Sequence, residues 1–141
     1  MIAGIFKTVL PASVVAAAAL FAVPAQAAQV EVHVPFSFTV NSETLPPGDY
    51  RVSSDAGDGV LFVRGFTGGA FAVTNRVDSS TETDAKLVFN KYGDQYVLRE
   101  AWMGDGSARE LPESSFERGL KEKARNDEAA PGSEQVSIPA L

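Results

Sequence analysis

From Val30 to Val40 the chain alternates without a fault. Val30, Val32, Val34, Phe36, Phe38 and Val40 take one parity, and Glu31, His33, Pro35, Ser37, Thr39 and Asn41 take the other. Successive side chains of an extended chain point to opposite sides, so this is a β-segment with one apolar and one polar face. Pro35 has no N–H to give to a ladder, which puts the segment at a sheet edge or splits it into two shorter strands. Leu45-Pro46-Pro47-Gly48-Asp49-Tyr50 follows. There Pro47-Gly48 suits the central pair of a type II turn, with Tyr50 and Val52 opening the next strand.

Two hairpins come next. Val60 to Phe66 and Phe71 to Val77 flank Thr67-Gly68-Gly69-Ala70. A two-residue Gly68-Gly69 turn sets Phe66 opposite Phe71, Arg64 opposite Val73, Phe62 opposite Asn75 and Val60 opposite Val77. Lys86 to Tyr92 and Gln95 to Met103 are joined through Gly93-Asp94, where a leading glycine favours a type II′ turn. That register pairs Phe89 with Leu98 and puts Tyr96, Leu98 and Trp102 on one face with Glu100. The acidic, Ser- and Thr-rich stretch Asp78 to Asp84 is an exposed connection. Ser114 and Glu117 have the spacing of a capping box, and Phe116, Leu120 and Ala124 make one stripe of a short helix from about Ser115 to Arg125. Lys121, Lys123 and Arg125 suit its negative end. Gly119 costs it about 1 kcal/mol relative to alanine, so the helix needs docking to persist. Six or seven short strands with tight turns and one short C-terminal helix define an all-β domain, a small antiparallel sandwich or barrel. Periodicity does not choose between the two.

The first 27 residues read as an export signal: Lys7 is the sole charge, the run from Thr8 to Val23 is apolar apart from Thr8 and Ser13, and Ala25-Gln26-Ala27 offers small residues at a cleavage site. The run is short of the roughly 20 residues a membrane span needs, and Pro11 interrupts it. The organisation is then a signal peptide over 1–27, a β domain with its terminal helix over 28–125 and a disordered tail over 126–141. Without Lys7 the mature chain has 11 basic and 18 acidic side chains, a formal charge of −7. That acidity opposes the counterion release that drives nucleic-acid binding. The chain has no cysteine, which removes disulfides, thiolate metal sites, thiol nucleophiles and lipobox anchors. Its stability rests on packing.

Phe36-Ser37-Phe38-Thr39-Val40, Leu45-Pro46-Pro47-Gly48-Asp49-Tyr50, Lys86-Leu87-Val88-Phe89-Asn90-Lys91-Tyr92-Gly93-Asp94-Gln95-Tyr96 and Arg109-Glu110-Leu111-Pro112 together resemble small secreted all-β bacterial proteins of unassigned function. The resemblance spans roughly Val30 to Lys123. Its motifs are turns and strands, so it implies fold and export and carries over no catalytic residues.

The chemistry-bearing candidates are few. His33 is the only histidine, lies on the polar parity of its strand, and is read as a solvated residue. Asp55-Ala56-Gly57-Asp58-Gly59 lacks the acidic spacing of a calcium loop and is read as a glycine-rich turn. Asp78, Glu82 and Asp84 are read as a solvated acidic loop. No catalytic, cofactor or metal-ligating residues are assigned. Arg64, Asn75 and Glu100 share strand parities with large apolar residues. If that face is internal they must pair or line a polar ligand pocket, with Arg64 and Glu100 as the natural ion pair; if the register is off they face solvent. Tyr92, Tyr96 and Trp102, with Phe66, make either an exposed aromatic surface for carbohydrate or a partner, or ordinary cross-strand packing. The Val30–Val40 strand, near a free end, either pairs with another chain or joins its own sheet.

These readings combine into an extracytoplasmic, non-catalytic binding or interaction module for a protein, carbohydrate or small molecule, with no membrane span after signal cleavage. The alternatives are a small-molecule carrier with a pocket at Arg64, Asn75 and Glu100, and a hydrolytic enzyme using acidic residues. Cleavage after Ala27 predicts that N-terminal sequencing of the exported protein starts at Ala28; an intact Met1 terminus in the exported fraction contradicts it.

Overall fold

The computed structural model describes residues 28–54, 59–126 and 134–141. The expected export signal over 1–27, residues 55–58 of the expected glycine-rich turn and residues 127–133 of the expected tail lie outside the described residues. In chain order the elements are β1 (Ala28–Val34), β2 (Phe38–Val40), β3 (Glu43–Leu45), β4 (Gly48–Ser54), β5 (Val60–Gly65), β6 (Gly69–Val73), β7 (Asn75–Asp78), β8 (Lys86–Tyr92), β9 (Gln95–Trp102), β10 (Ser107–Glu110), α1 (Ser115–Asn126) and β11 (Glu134–Pro139).

The strands form two sheets and no closed barrel, so the fold is an all-β sandwich. One sheet has the order β1-β4-β5-β6, antiparallel throughout. The other runs β11-β8-β9-β10-β7, with the β2–β3 hairpin added along β9, where Thr39 pairs with Val97 in parallel. Eleven strands appear among the described residues, against the six or seven the pattern suggests. The reason is that the chain changes sheets at Pro35, at Pro46-Pro47 and at Thr74, so segments that read as continuous are cut in two. At Pro35, β1 stops and β2 begins in the opposite sheet. At Pro46-Pro47 the chain again crosses between sheets. Gly48, with φ of 159°, is already the first residue of β4 and does not take the roughly +80° of a type II turn. At Thr74 the backbone N–H and the side-chain hydroxyl both donate to the Gly59 carbonyl, at 2.8 and 2.7 Å, pinning the crossing from β6 to β7.

Between the sheets lie Val32, Val34, Val52, Leu61 and Val63 from one side and Phe38, Val40, Leu87, Phe89 and Leu98 from the other, all within the core. Arg109 Nε reaches across to the Ser54 hydroxyl at 2.9 Å and ties β10 to β4. The β8–β9 hairpin has the expected Tyr92–Gln95 and Phe89–Leu98 pairs. Gly93 has φ of 62° and Asp94 is not among the positive-φ residues, as a type II′ turn requires. Beyond Leu98 the register departs from expectation, because Val88 pairs with Glu100 while Phe89 pairs with Leu98, leaving Arg99 as an extra residue on β9. Such a bulge reverses which face each later side chain takes. Tyr96 and Leu98 therefore face the core side, and Glu100 and Trp102 face outward. Arg99 is held by its own bonds, Nη1 to the Leu111 carbonyl at 2.9 Å and Nη2 to Glu110 at 3.2 Å.

The β5–β6 register also differs. Phe62, not Phe66, opposes Phe71, and Val60 opposes Val73; the connection is the four residues Gly65-Phe66-Thr67-Gly68. Gly65 forces this. Its missing side chain leaves room for the Tyr50 ring, whose Cε1 would stand 2.5 Å from an added Cβ. Tyr50 is buried, donates its hydroxyl proton to the Pro46 carbonyl and pairs with Gly65 across the ladder.

Two corrections concern the C-terminal third. Where the pattern suggests a disordered tail from Asn126, residues 134–139 form β11 antiparallel to β8, with Val136 and Ile138 half-buried at period two. Leu141 N–H then donates to the Glu31 carbonyl at 2.8 Å, so part of the free edge of β1 is covered by the chain itself. The helix is present, and Ser114 Oγ accepts from the Glu117 N–H at 3.1 Å as its cap. Its docked residues are Glu117, Leu120 and Ala124, while Phe116 of the expected stripe remains exposed. No helix among the described residues is long and apolar enough to cross a membrane.

The Tyr50–Gly65 contact generates a paired expectation. Gly65→Ala drives a methyl into the ring and lowers unfolding free energy by about 1–3 kcal/mol. Gly68→Ala has no atom within 4 Å of its Cβ and shifts it by less than about 0.5 kcal/mol. Urea unfolding of the two variants separates them.

Candidate functional site

The outer faces of the two sheets are unlike. On the seven-stranded sheet α1 lies over β8. Glu117 is buried there, and its Oε2 accepts from the Tyr92 hydroxyl at 2.8 Å and from Asn90 Nδ2 at 2.9 Å. A buried carboxyl group is costly unless donors meet it, and these two neutral donors converge on Oε2. At the mouth of this cluster Glu113 receives Lys121, whose hydrogen bond holds the Glu113 carboxyl below the usual carboxylate range.

Among the described residues nothing comparable covers the four-stranded sheet. Phe71 is 65% exposed, Val73 68% and Phe66 fully exposed, and Phe62 is half-buried opposite Phe71 with the two rings 6.3 Å apart. Beside this apolar patch is a charged half. His33 Nδ1 meets Asp49 Oδ1 at 2.7 Å, and Arg51 Nη2 meets Glu31 Oε1 at 3.1 Å, both across the β1–β4 ladder. Arg51 is in turn directly opposite Arg64 across β4–β5. Among the described residues no carboxylate pairs with Arg64, whose guanidinium carbon sits 5.3 Å from the Phe62 ring centre. Between the Pro46-Pro47-Gly48 crossing and the Gly65-Phe66-Thr67 turn this face sinks into an open groove of about 670 Å³. Tyr50, Arg51 and Arg64 line it, with Glu31, Asp49 and Leu141 around them.

The structure does not bring Arg64, Asn75 and Glu100 together. Arg64 is on the outside of the four-stranded sheet. Asn75 and Glu100 flank Glu110 in one cross-strand row outside the seven-stranded sheet. The Arg99 bulge and the strand crossing at Thr74 separate them from the parity the sequence suggests. The aromatic trio is divided as well. Tyr92 is 6% exposed beneath α1, Tyr96 is stacked on Phe36 with ring centres 3.7 Å apart, and Trp102 is half-buried between Lys86 and Ala108. Only Phe66 of that group is open to solvent. The acidic connection is partly neutralised, Asp78 by Arg76 at 3.0 Å and Glu82 by Lys86 at 2.9 Å. Among the described residues no three His, Asp or Glu side chains gather as a metal site.

Sequence reasoning missed Phe62, Phe71 and Arg51 as surface residues. Both parities of β5 are apolar, with Leu61 and Val63 on one and Val60 and Phe62 on the other, so alternation does not tell inside from outside. Arg64 was the available signal, since a charge on the Phe62 parity marks the wet face. Comparison of the chain with protein-family models, with curated proteins and with solved structures finds no match.

Burial, then the Glu117 hydrogen bond and the Glu117 and Glu113 charges, raise the Tyr92 hydroxyl pKa well above its ordinary value of 10.0. The folded state thus resists tyrosinate formation that the unfolded chain permits. The stability from this group is complete below about pH 10 and is lost as pH rises above it. Denaturation followed from pH 8 to 11.5 is expected to show stability falling past pH 10, with a shallower fall in Tyr92→Phe; equal slopes in the two proteins contradict it.

Proposed function

We propose that the protein is an exported, non-catalytic binding module that holds its partner against the outer face of the four-stranded sheet. One observation carries the reading: Phe62, Phe71 and Val73 stand on the outer face of that sheet with Phe66 exposed in the adjoining turn, whereas α1 lies over the opposite sheet at β8. Isolated surface hydrophobics are ordinary, but aromatics gathered on one uncovered sheet and rimmed by charge are the composition of an interaction surface. Export is supported by the apolar N-terminal run ending in Ala25-Gln26-Ala27, and by the likeness of the turn and strand motifs to small secreted all-β proteins.

The test uses exposed residues whose loss leaves the core intact. Phe66→Ser combined with Phe71→Ser is expected to shift the unfolding midpoint little. The same variant, immobilised and offered the extracytoplasmic fraction of its own cells and a glycan array, is expected to lose at least tenfold of whatever the parent protein retains. An identical retained set at equal yield overturns the reading.

A further inference from the structure

We propose that the groove between the Pro46-Pro47-Gly48 crossing and the Gly65-Phe66-Thr67 turn binds a small organic monocarboxylate with an apolar body, its carboxylate seated on Arg64. The inference rests on the reading of this sheet face as a binding surface, and adds the chemistry of what is bound at one end of it.

The charges are the first argument. Arg51 and Arg64 stand directly opposite each other on neighbouring strands, a placement in which like charges repel. The chain carries 18 acidic side chains, yet among the described residues just one of them, Glu31, reaches this pair, and it goes to Arg51. Asp49, the other acid lining the groove, is taken by His33. Arg64 is left as a guanidinium without a counter-charge beside a second guanidinium, in a protein with no shortage of carboxylates. An incoming anion relieves that repulsion.

Shape is the second argument. Phe62 lies under the Arg64 guanidinium at 5.3 Å, a contact that holds the planar fork while leaving its N–H groups open to a carboxylate. The groove, about 670 Å³, has the size of a small-molecule site. Part of its rim is apolar: Phe66 is fully exposed on one side, and Pro46, Pro47 and the Leu141 side chain stand among the charged lining residues. A ligand with its anionic end on Arg64 therefore lays its body against Phe66. Glu31 and Asp49 on the same wall limit the site to one net negative charge, so a monocarboxylate is preferred to a dicarboxylate or a phosphate.

A matched pair of probes tests this, naphthaleneacetate and its uncharged amide, titrated into the mature protein by NMR. The anion is expected to bind about tenfold tighter than the amide, to move the Arg64, Arg51 and Phe66 signals, and to lose that advantage in 0.5 M salt. Arg64→Gln abolishes the preference without changing amide binding, and Arg64→Lys keeps part of it. Phe66→Ala weakens both probes, while Phe71→Ser, outside the groove, changes neither. Equal binding of acid and amide, no binding of either, or a preference that survives Arg64→Gln overturns the proposal. Absence of an anion preference in the parent protein, with partner retention still lost in the Phe66 and Phe71 double variant, removes this site and leaves the broader reading standing.

Discussion

Phe38 is fully buried and meets Tyr50 edge-on at 5.0 Å in one sheet and Phe89 at 5.4 Å in the other. With no cysteine in the chain, contacts of this kind set the spacing of the sandwich, each contributing about 0.5–1.5 kcal/mol beyond the area it buries. Their placement follows from Pro35. The ladder of β1 ends there, the chain crosses to the opposite sheet, and the next two apolar residues arrive at the junction, Phe36 onto Phe89 and Tyr96, and Phe38 between the sheets. Tyr50 is held for this contact from two further directions, by the Pro46 carbonyl and by the bare backbone of Gly65. A break in hydrogen bonding thus becomes the means of joining the layers.

The same sandwich leaves its two outer faces in different states. Over the seven-stranded sheet the helix buries a carboxylate rather than the phenylalanine its stripe offers. Glu117 is tolerated because Tyr92 and Asn90, adjacent outward positions of β8, both donate to it. Those polar bonds orient α1 more specifically than apolar contact alone, and they draw Tyr92 out of any surface role. Among the described residues no helix lies over the four-stranded sheet. Phe62, Phe66, Phe71 and Val73 remain at the surface beside a row of charges, and this asymmetry is what gives the molecule a distinguishable face.

Much of the architecture is legible in the sequence. The β8–β9 hairpin and its Phe89–Leu98 pair follow from Gly93-Asp94, the split of the first strand from Pro35, and the helix from Ser114 and Glu117. The candidate site was less legible, and particular residues show why. Arg99 looks like any other strand residue, yet as an extra member of β9 it turns Glu100 and Trp102 to the opposite face from Tyr96. Thr74 passes as a strand interior and is instead a crossing between sheets, so Asn75 leaves the side on which Arg64 sits. β11 was hidden because Val136 and Ile138 are too few to announce a strand without the β8 edge they pair with.

The sequence by itself determined an all-β chain with one helix, the Gly93-Asp94 hairpin turn and its reliance on packing, because proline, glycine and period-two alternation act through local backbone geometry. Which apolar face became core, which was roofed by α1 and which stayed open were decided only in the tertiary structure. Both parities of β5 are apolar, and the choice between them depends on what the opposite sheet brings into contact with Leu61 and Val63, a relation between residues far apart in the chain that no local pattern contains.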